Sequence, residues 1–87
     1  MRTQSWGYVP LEALPSGAKA KVVIVMAPGS WSQRLLQMGF VPGAIVEVLY
    51  NNRPGPIIVR VMNTTISLGR GIARRIFVEP IVEGETS

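Results

Sequence analysis

One stretch limits what the chain can become more than any other: Ser30-Trp31-Ser32-Gln33-Arg34-Leu35-Leu36-Gln37-Met38-Gly39-Phe40-Val41-Pro42-Gly43. It is the one segment that carries a complete set of helix signals. Ser30 followed three residues later by Gln33 fits a capping box, in which the Ser30 hydroxyl accepts from the Gln33 N–H and the Gln33 side chain reaches back. Gly39 supplies a left-handed stop, and Phe40 one residue beyond it is placed to pack back onto Leu35. Pro42-Gly43 is then a turn pair, proline presetting φ at the first corner and glycine accepting φ > 0 at the second. A helix this short has room for one apolar stripe, which Trp31, Leu35 and Met38 fill at i, i+4 and i+7. Leu36 falls about 100° off that stripe. It either fills a side pocket under Phe40 or faces a partner, with Ile45 and Leu49 of the following strand extending the patch in the second case.

Around this helix the chain reads as short strands separated by turn signals. Residues 1–8 have no periodicity and read as an extension whose Trp6 and Tyr8 are free to pack on the domain. Residues 9–14 have room for one helical turn, with Leu11 and Leu14 on one side, before Pro15-Ser16-Gly17 ends it. Residues 18–26 begin with alternation and become apolar throughout, which predicts a strand with Ala18, Ala20, Val22 and Ile24 on its inner face. In residues 44–50 the Glu47 charge fixes the register and sends Val46, Val48 and Tyr50 inward. Asn51-Asn52-Arg53-Pro54-Gly55-Pro56 is a loop.

A third strand spans 57–62 with Ile57, Val59 and Val61 inward and Arg60 outward. Asn63-Thr64 is the expected tight turn. Ile66 and Leu68 bring the fourth strand, 65–68, into the core. One helical turn over 69–74 leads to the last strand, 75–80, with Ile76 and Val78 on one face and Phe77 and Glu79 on the other. Residues 81–87 form a short acidic tail. Five strands and one helix after the first of them predict a mainly β fold, a small antiparallel barrel of SH3-like or OB-like type. Closure of the sheet should remove exposed edges that so apolar a chain could not leave open.

Composition excludes several functions. The chain has 87 residues with neither cysteine nor histidine, so disulfides and the usual zinc and copper ligands are missing. No metal site and no cofactor are expected. The longest apolar run, residues 22–28, is far short of the ~20 residues a membrane span needs. With no apolar run behind Arg2, a signal peptide is not supported and the chain reads as cytoplasmic. The glutamates at 12, 47, 79, 83 and 85 share no short motif. Without a positioned acid–base pair or an activated nucleophile, the chain reads as a binding protein and not an enzyme.

The net charge of +4 raises the possibility of an anionic partner. Arg70, Arg74 and Arg75 form the one dense basic cluster, and a helical turn there puts Arg70 and Arg74 on one side, toward solvent or a partner. Nucleic-acid binding would need exposed aromatics for stacking, and Phe77 alone is nearby. Gly69-Arg70-Gly71 lacks the third glycine of a nucleotide-binding loop, because position 74 is arginine.

Leu11-Glu12-Ala13-Leu14-Pro15-Ser16-Gly17, then Arg34-Leu35-Leu36-Gln37-Met38-Gly39-Phe40-Val41-Pro42-Gly43, then Val59-Arg60-Val61 and residues 67–76 together resemble the FeoA family. The resemblance runs from about residue 9 to residue 80, with 1–8 and 81–87 outside it. It implies an SH3-like barrel, no catalysis, a link to ferrous iron, and docking on the cytosolic part of FeoB, the membrane iron transporter with a cytosolic GTPase domain. The proposed contacts are Leu36 and Gln37 at the helix exit together with Arg70, Arg74 and Arg75. Two alternatives stand beside it: a small basic barrel that binds nucleic acid, and a stand-alone regulatory domain like the C-terminal module of metal-dependent repressors. The chain departs from the family at Pro54-Gly55-Pro56, where Gly-Asp-Pro is common, and at Asn63, where glycine is usual. The first weakens a cation reading of that loop, and the second is conservative because asparagine also visits the left-handed region.

Overall fold

The computed structural model describes residues 7–82, so the expectations for Trp6 and for most of the acidic tail lie outside the described residues. Six strands form one antiparallel sheet: β1 (Val9–Pro10), β2 (Lys19–Val25), β3 (Ile45–Asn51), β4 (Ile57–Val61), β5 (Thr64–Leu68) and β6 (Ile76–Ile81). Helix α1 (Ser30–Met38) joins β2 to β3, and the single turn α2 (Arg70–Ala73) joins β5 to β6. The sheet order is β1-β6-β2-β3-β4-β5. Strands β2 to β5 run as a meander, and β6 returns to the open side of β2, the connectivity of an SH3-like barrel.

Residues 9–14 give the sixth strand. The expected helical turn is present as a 3-10 turn confined to Leu11–Ala13, and it is preceded by Val9 and Pro10, which pair with Val78 and Phe77. Pro10, extended and lacking an N–H, suits a short edge strand and holds the turn back by one residue. Leu11 and Leu14 are both buried, on the shared side that their spacing predicts.

Two inward assignments are overturned, and for the same reason. On β2 the register against β6 slips between Val22 and Ile24, leaving Val23 as an extra residue; on β3 the register against β4 slips between Val48 and Tyr50, leaving Leu49 extra. A bulge shifts the period-two alternation by one position. Ile24 and Tyr50 therefore face outward, 45% and 48% exposed, whereas Val22 and Val48 stay buried. The bulges also bend both strands, as a small curved sheet requires.

The β4–β5 hairpin turns one residue earlier than its sequence predicts. Val61 pairs with Thr64, so Met62 and Asn63 are the two central residues, with φ of 53° and 63°. That is a type I′ turn, matched to the twist of its flanking strands. The edges are not both removed either, because β5 pairs with β4 alone and is one end of the ladder.

The core joins Leu11, Val22, Leu35, Phe40, Val46, Val48, Ile57, Val59, Ile76 and Val78, with Trp31, Met38 and Ile66 packed partly buried against it. Fully burying one such aliphatic side chain contributes about 1.5–3 kcal/mol. Leu35 thus pins α1 to the barrel, and Trp31 and Met38 flank it as their stripe predicts. Arg34 stacks over the Trp31 ring at 4.7 Å, which covers that ring's outer face.

Candidate functional surface

The helix exit is built by three backbone features. The Phe40 N–H donates to the Leu35 carbonyl at 3.0 Å and the Gly39 N–H to the Leu36 carbonyl at 3.1 Å, the paired bonds of a Schellman stop. Gly39 sits at φ 112°, and Phe40 is buried beside Leu35 in the core. The Ala44 N–H then closes the Pro42-Gly43 turn on the Val41 carbonyl at 2.9 Å. The helix start differs from its prediction: Gly29, at φ 53°, is the N-cap, and no side chain caps α1. Ser30 lies inside the first turn, so the Ser30–Gln33 box does not form. The Trp31 N–H is satisfied by the Pro28 carbonyl instead, at 3.1 Å.

This exit presents apolar surface. Leu36 is 44% exposed, and Val41, Ile45 and Met62 are exposed as well. Gln37 is also exposed. Gly39 lies directly against Met62, where an added Cβ would come within 2.6 Å of Met62 Cγ. The helix exit and the β4–β5 turn are thus one surface. Ile45 and Met62 also line a shallow groove of about 430 Å³ with Lys19, Glu47, Arg60 and Asn63. Glu47 and Arg60 pair across the strands at 4.0 Å on its rim. Ile45 is exposed beside Met62 in this groove, whereas Leu49, the extra residue at the β3 bulge, is half-buried.

The arginine cluster lies elsewhere and is divided. Arg70 does not face solvent: its Nε donates to the Gly55 carbonyl at 2.9 Å and its Nη2 to Asn51 Oδ1 at 2.7 Å. Its buried Nη1 has no hydrogen-bond partner among the described residues. Arg74 is exposed and paired, Nε with Glu12 Oε1 at 3.3 Å and Nη2 with Glu12 Oε2 at 3.5 Å. Arg53 Nη2 stands 3.9 Å from the same carboxylate. The Arg74 hydrogen bond holds the Glu12 pKa below its ordinary value of 4.5; burial opposes this, and the charges of Arg74, Arg53 and Arg70 add to the lowering.

Arg70 reaches the loop before β4, and Met62 sits in the turn after it. The five residues of β4 therefore separate the Arg70 guanidinium from the helix exit by about 13 Å. Arg70 is thus not brought together with Leu36 and Gln37, and Arg74 and Arg75 line a recess with Met26 and Phe77.

Asn51 is the residue that the sequence conceals. Its side-chain N–H groups donate to the Glu12 and Leu14 carbonyls at 3.0 and 2.6 Å, while its backbone N–H donates to Ser16 Oγ at 2.8 Å. It ties the 3-10 turn, the end of β3 and Arg70 into one knot. Its only mark in the sequence is an asparagine at a strand end, indistinguishable from the loop residues after it.

Among the described residues no three His, Cys, Asp or Glu side chains converge as a metal-binding set. No helix among them is long and apolar enough to cross a membrane. The fold defines a small SH3-like domain.

Comparison with known proteins narrows that class. The FeoA domain model matches residues 9–80, and the chain belongs to the FeoA family. It is 34% identical over 70 residues to a Methanocaldococcus jannaschii protein assigned as Fe(2+) transport protein A, covering 80% of this chain and 84% of that one. A Porphyromonas gingivalis Fe(2+) transport protein A/FeoB fusion protein is 36% identical over 78 residues, which are 88% of this chain and 9% of the fusion. A crystal structure of an iron uptake regulatory protein, FeoA, superposes with a TM-score of 0.78 at 34% identity, covering 87% of this chain and all of that one. A manganese-dependent transcriptional repressor shares the fold at a TM-score of 0.80 and 22% identity, covering 88% of this chain and 43% of the repressor.

Proposed function

We propose that this chain is a cytoplasmic, non-enzymatic accessory of ferrous-iron uptake that docks on the cytosolic part of a FeoB-type transporter through its helix exit. The observation that carries the reading is the P. gingivalis fusion, in which a domain aligned over most of this chain is covalently joined to FeoB. Two modules that persist as one polypeptide work at high effective concentration, and a separate pair needs a docking face to replace the linker. Leu36, Gln37, Val41, Ile45 and Met62 offer it: exposed apolar side chains held on a rigid Schellman stop and a type I′ turn. Rigid anchors of this kind lose little conformational freedom on binding.

The basic side chains give a nucleic-acid reading little support. Among the described residues, Arg70 is tied to Asn51 and Gly55, Arg74 to Glu12 and Arg60 to Glu47, and Arg34 lies on Trp31, so these four guanidinium groups are already engaged within the fold.

Retention of this chain by immobilised FeoB cytosolic domain tests the proposal. Leu36→Asp and Met62→Asp are each expected to weaken binding about tenfold or more, with circular dichroism unchanged. Retention of both variants at the wild-type level, with the fold intact, would remove this surface from the interaction.

A further inference from the structure

We propose a second docking site, at the α2 end of the barrel, that takes an acidic peptide segment of a partner protein centred on an apolar side chain. Met26, Arg74, Arg75 and Phe77 line an open crevice there of about 330 Å³. Its apolar part is a consequence of the β2 bulge. The slip after Val22 turns Ile24 outward opposite Phe77, so Ile24 and Met26, the latter 58% exposed, continue the surface of Phe77. The Met26 N–H donates to the Arg75 carbonyl at 2.8 Å, which fixes the strand end to the chain leaving α2. Exposed thioether, aliphatic and aromatic groups on a fixed backbone accept apolar side chains of varied shape.

The rim is cationic. Arg74 directs Nε and Nη2 to Glu12, and the Arg75 side chain makes no hydrogen bond or ion pair among the described residues. Of the remaining described carboxylates, Glu47 pairs with Arg60, and Glu79 stands two residues along β6 from Phe77, opposite Lys21 in the β2–β6 register. An apolar floor under guanidinium groups selects its occupant by charge complementarity. A wholly apolar segment would desolvate Arg75 without a counter-charge. A simple polyanion would leave Ile24, Met26 and Phe77 uncovered. A segment with an apolar side chain flanked by carboxylates satisfies both, seating the side chain on Met26 and Phe77 and a carboxylate in the fork of Arg75. This site is lined by other residues than the helix exit and does not depend on the FeoB reading.

Fluorescence polarisation of the full chain tests it, using a fluorescein-labelled hexapeptide with a Leu-Phe centre flanked by Asp and Glu on both sides. Saturable binding is expected. A hexapeptide with the same acids around Gly-Ser, and one with Leu-Phe flanked by Ser and Asn, should each bind about tenfold more weakly or worse. Arg75→Glu and Met26→Asp should each cost about tenfold or more, whereas Thr65→Glu, on the exposed β5, should bind as wild type. Absence of saturable binding, equal binding of either control peptide, or full binding by both crevice variants would overturn the proposal. So would sedimentation with vesicles of about 30% phosphatidylserine that Arg75→Glu abolishes while the peptide does not bind, because the site would then be a lipid contact.

Discussion

Gly39 carries two constraints at once. Its φ of 112° is a conformation that side chains rarely adopt, and a Cβ there would collide with the Met62 side chain. Gly39→Ala is expected to lower stability by about 1–3 kcal/mol, read as a lower urea midpoint at unchanged slope. The glycine was legible as a helix stop, but its closeness to Met62 was not, because that contact depends on where a hairpin some twenty residues later places its turn. Asn51 behaves in the opposite way, structurally central and silent in the sequence. Asn51→Ala strips partners from the Glu12 and Leu14 carbonyls and from Arg70, and should cost about 2 kcal/mol in the same assay. Glu12 has a depressed pKa in the folded chain, so the unfolded state takes up protons first as pH falls. Its contribution is fully present above the ordinary carboxylate value of 4.5 and is lost as pH drops through the folded value. The stability gap between wild type and Glu12→Gln, measured by denaturant titration from pH 7 to pH 3, should therefore be widest at neutral pH and close in acid.

At the scale of elements, the ends of α1 separate what a capping pattern says from what the backbone does. The stop agrees with its sequence because the Schellman bonds, Gly39 and Phe40 all lie within six residues. The start does not, since Gly29, at φ 53° and ψ −133°, takes the N-cap position and moves Ser30 inside the helix. Ser30→Ala should change the thermal midpoint little, within about 0.5 kcal/mol, whereas Gly29→Ala should cost about 1–3 kcal/mol. A large loss in Ser30→Ala would restore the capping box. The strands show a related limit. Alternation assigned Val22, Val46, Val48, Ile57, Val59 and Val61 to the core, and all are buried. It failed at Ile24 and Tyr50, just beyond the two bulges. Period-two reasoning holds only until a strand gains an unpaired residue, and a bulge forced by sheet curvature leaves no residue-type mark in an apolar run. The two-residue β1 was hidden for another reason, since a pair that short is defined by its partner strand and not by its own pattern.

At the scale of the molecule, the fold was more legible than its surfaces. The succession of strands β2 to β6 and the helix after the first of them were readable, because punctuation by glycine, proline and asparagine is local, and the family was readable from its motifs. The grouping of contact residues was not, because it depends on which distant segments the barrel brings side by side, as with Gly39 and Met62 or Arg70 and Gly55. Leu36 and Gln37 belong to the helix exit, whereas Arg74 and Arg75 belong to the crevice with Met26 and Phe77. Arg70 is used within the fold, where it ties α2 to the loop before β4. The proposed transporter contact and the proposed peptide site thus draw on different residues. The most direct measurement of the docking claim is an amide chemical-shift titration of the isotopically labelled chain with the FeoB cytosolic domain. Docking through the helix exit should produce shifts concentrated on Leu36, Gln37, Val41, Ile45 and Met62, saturating with added partner. No saturable shifts, or shifts confined to Met26, Arg74, Arg75 and Phe77, would contradict it.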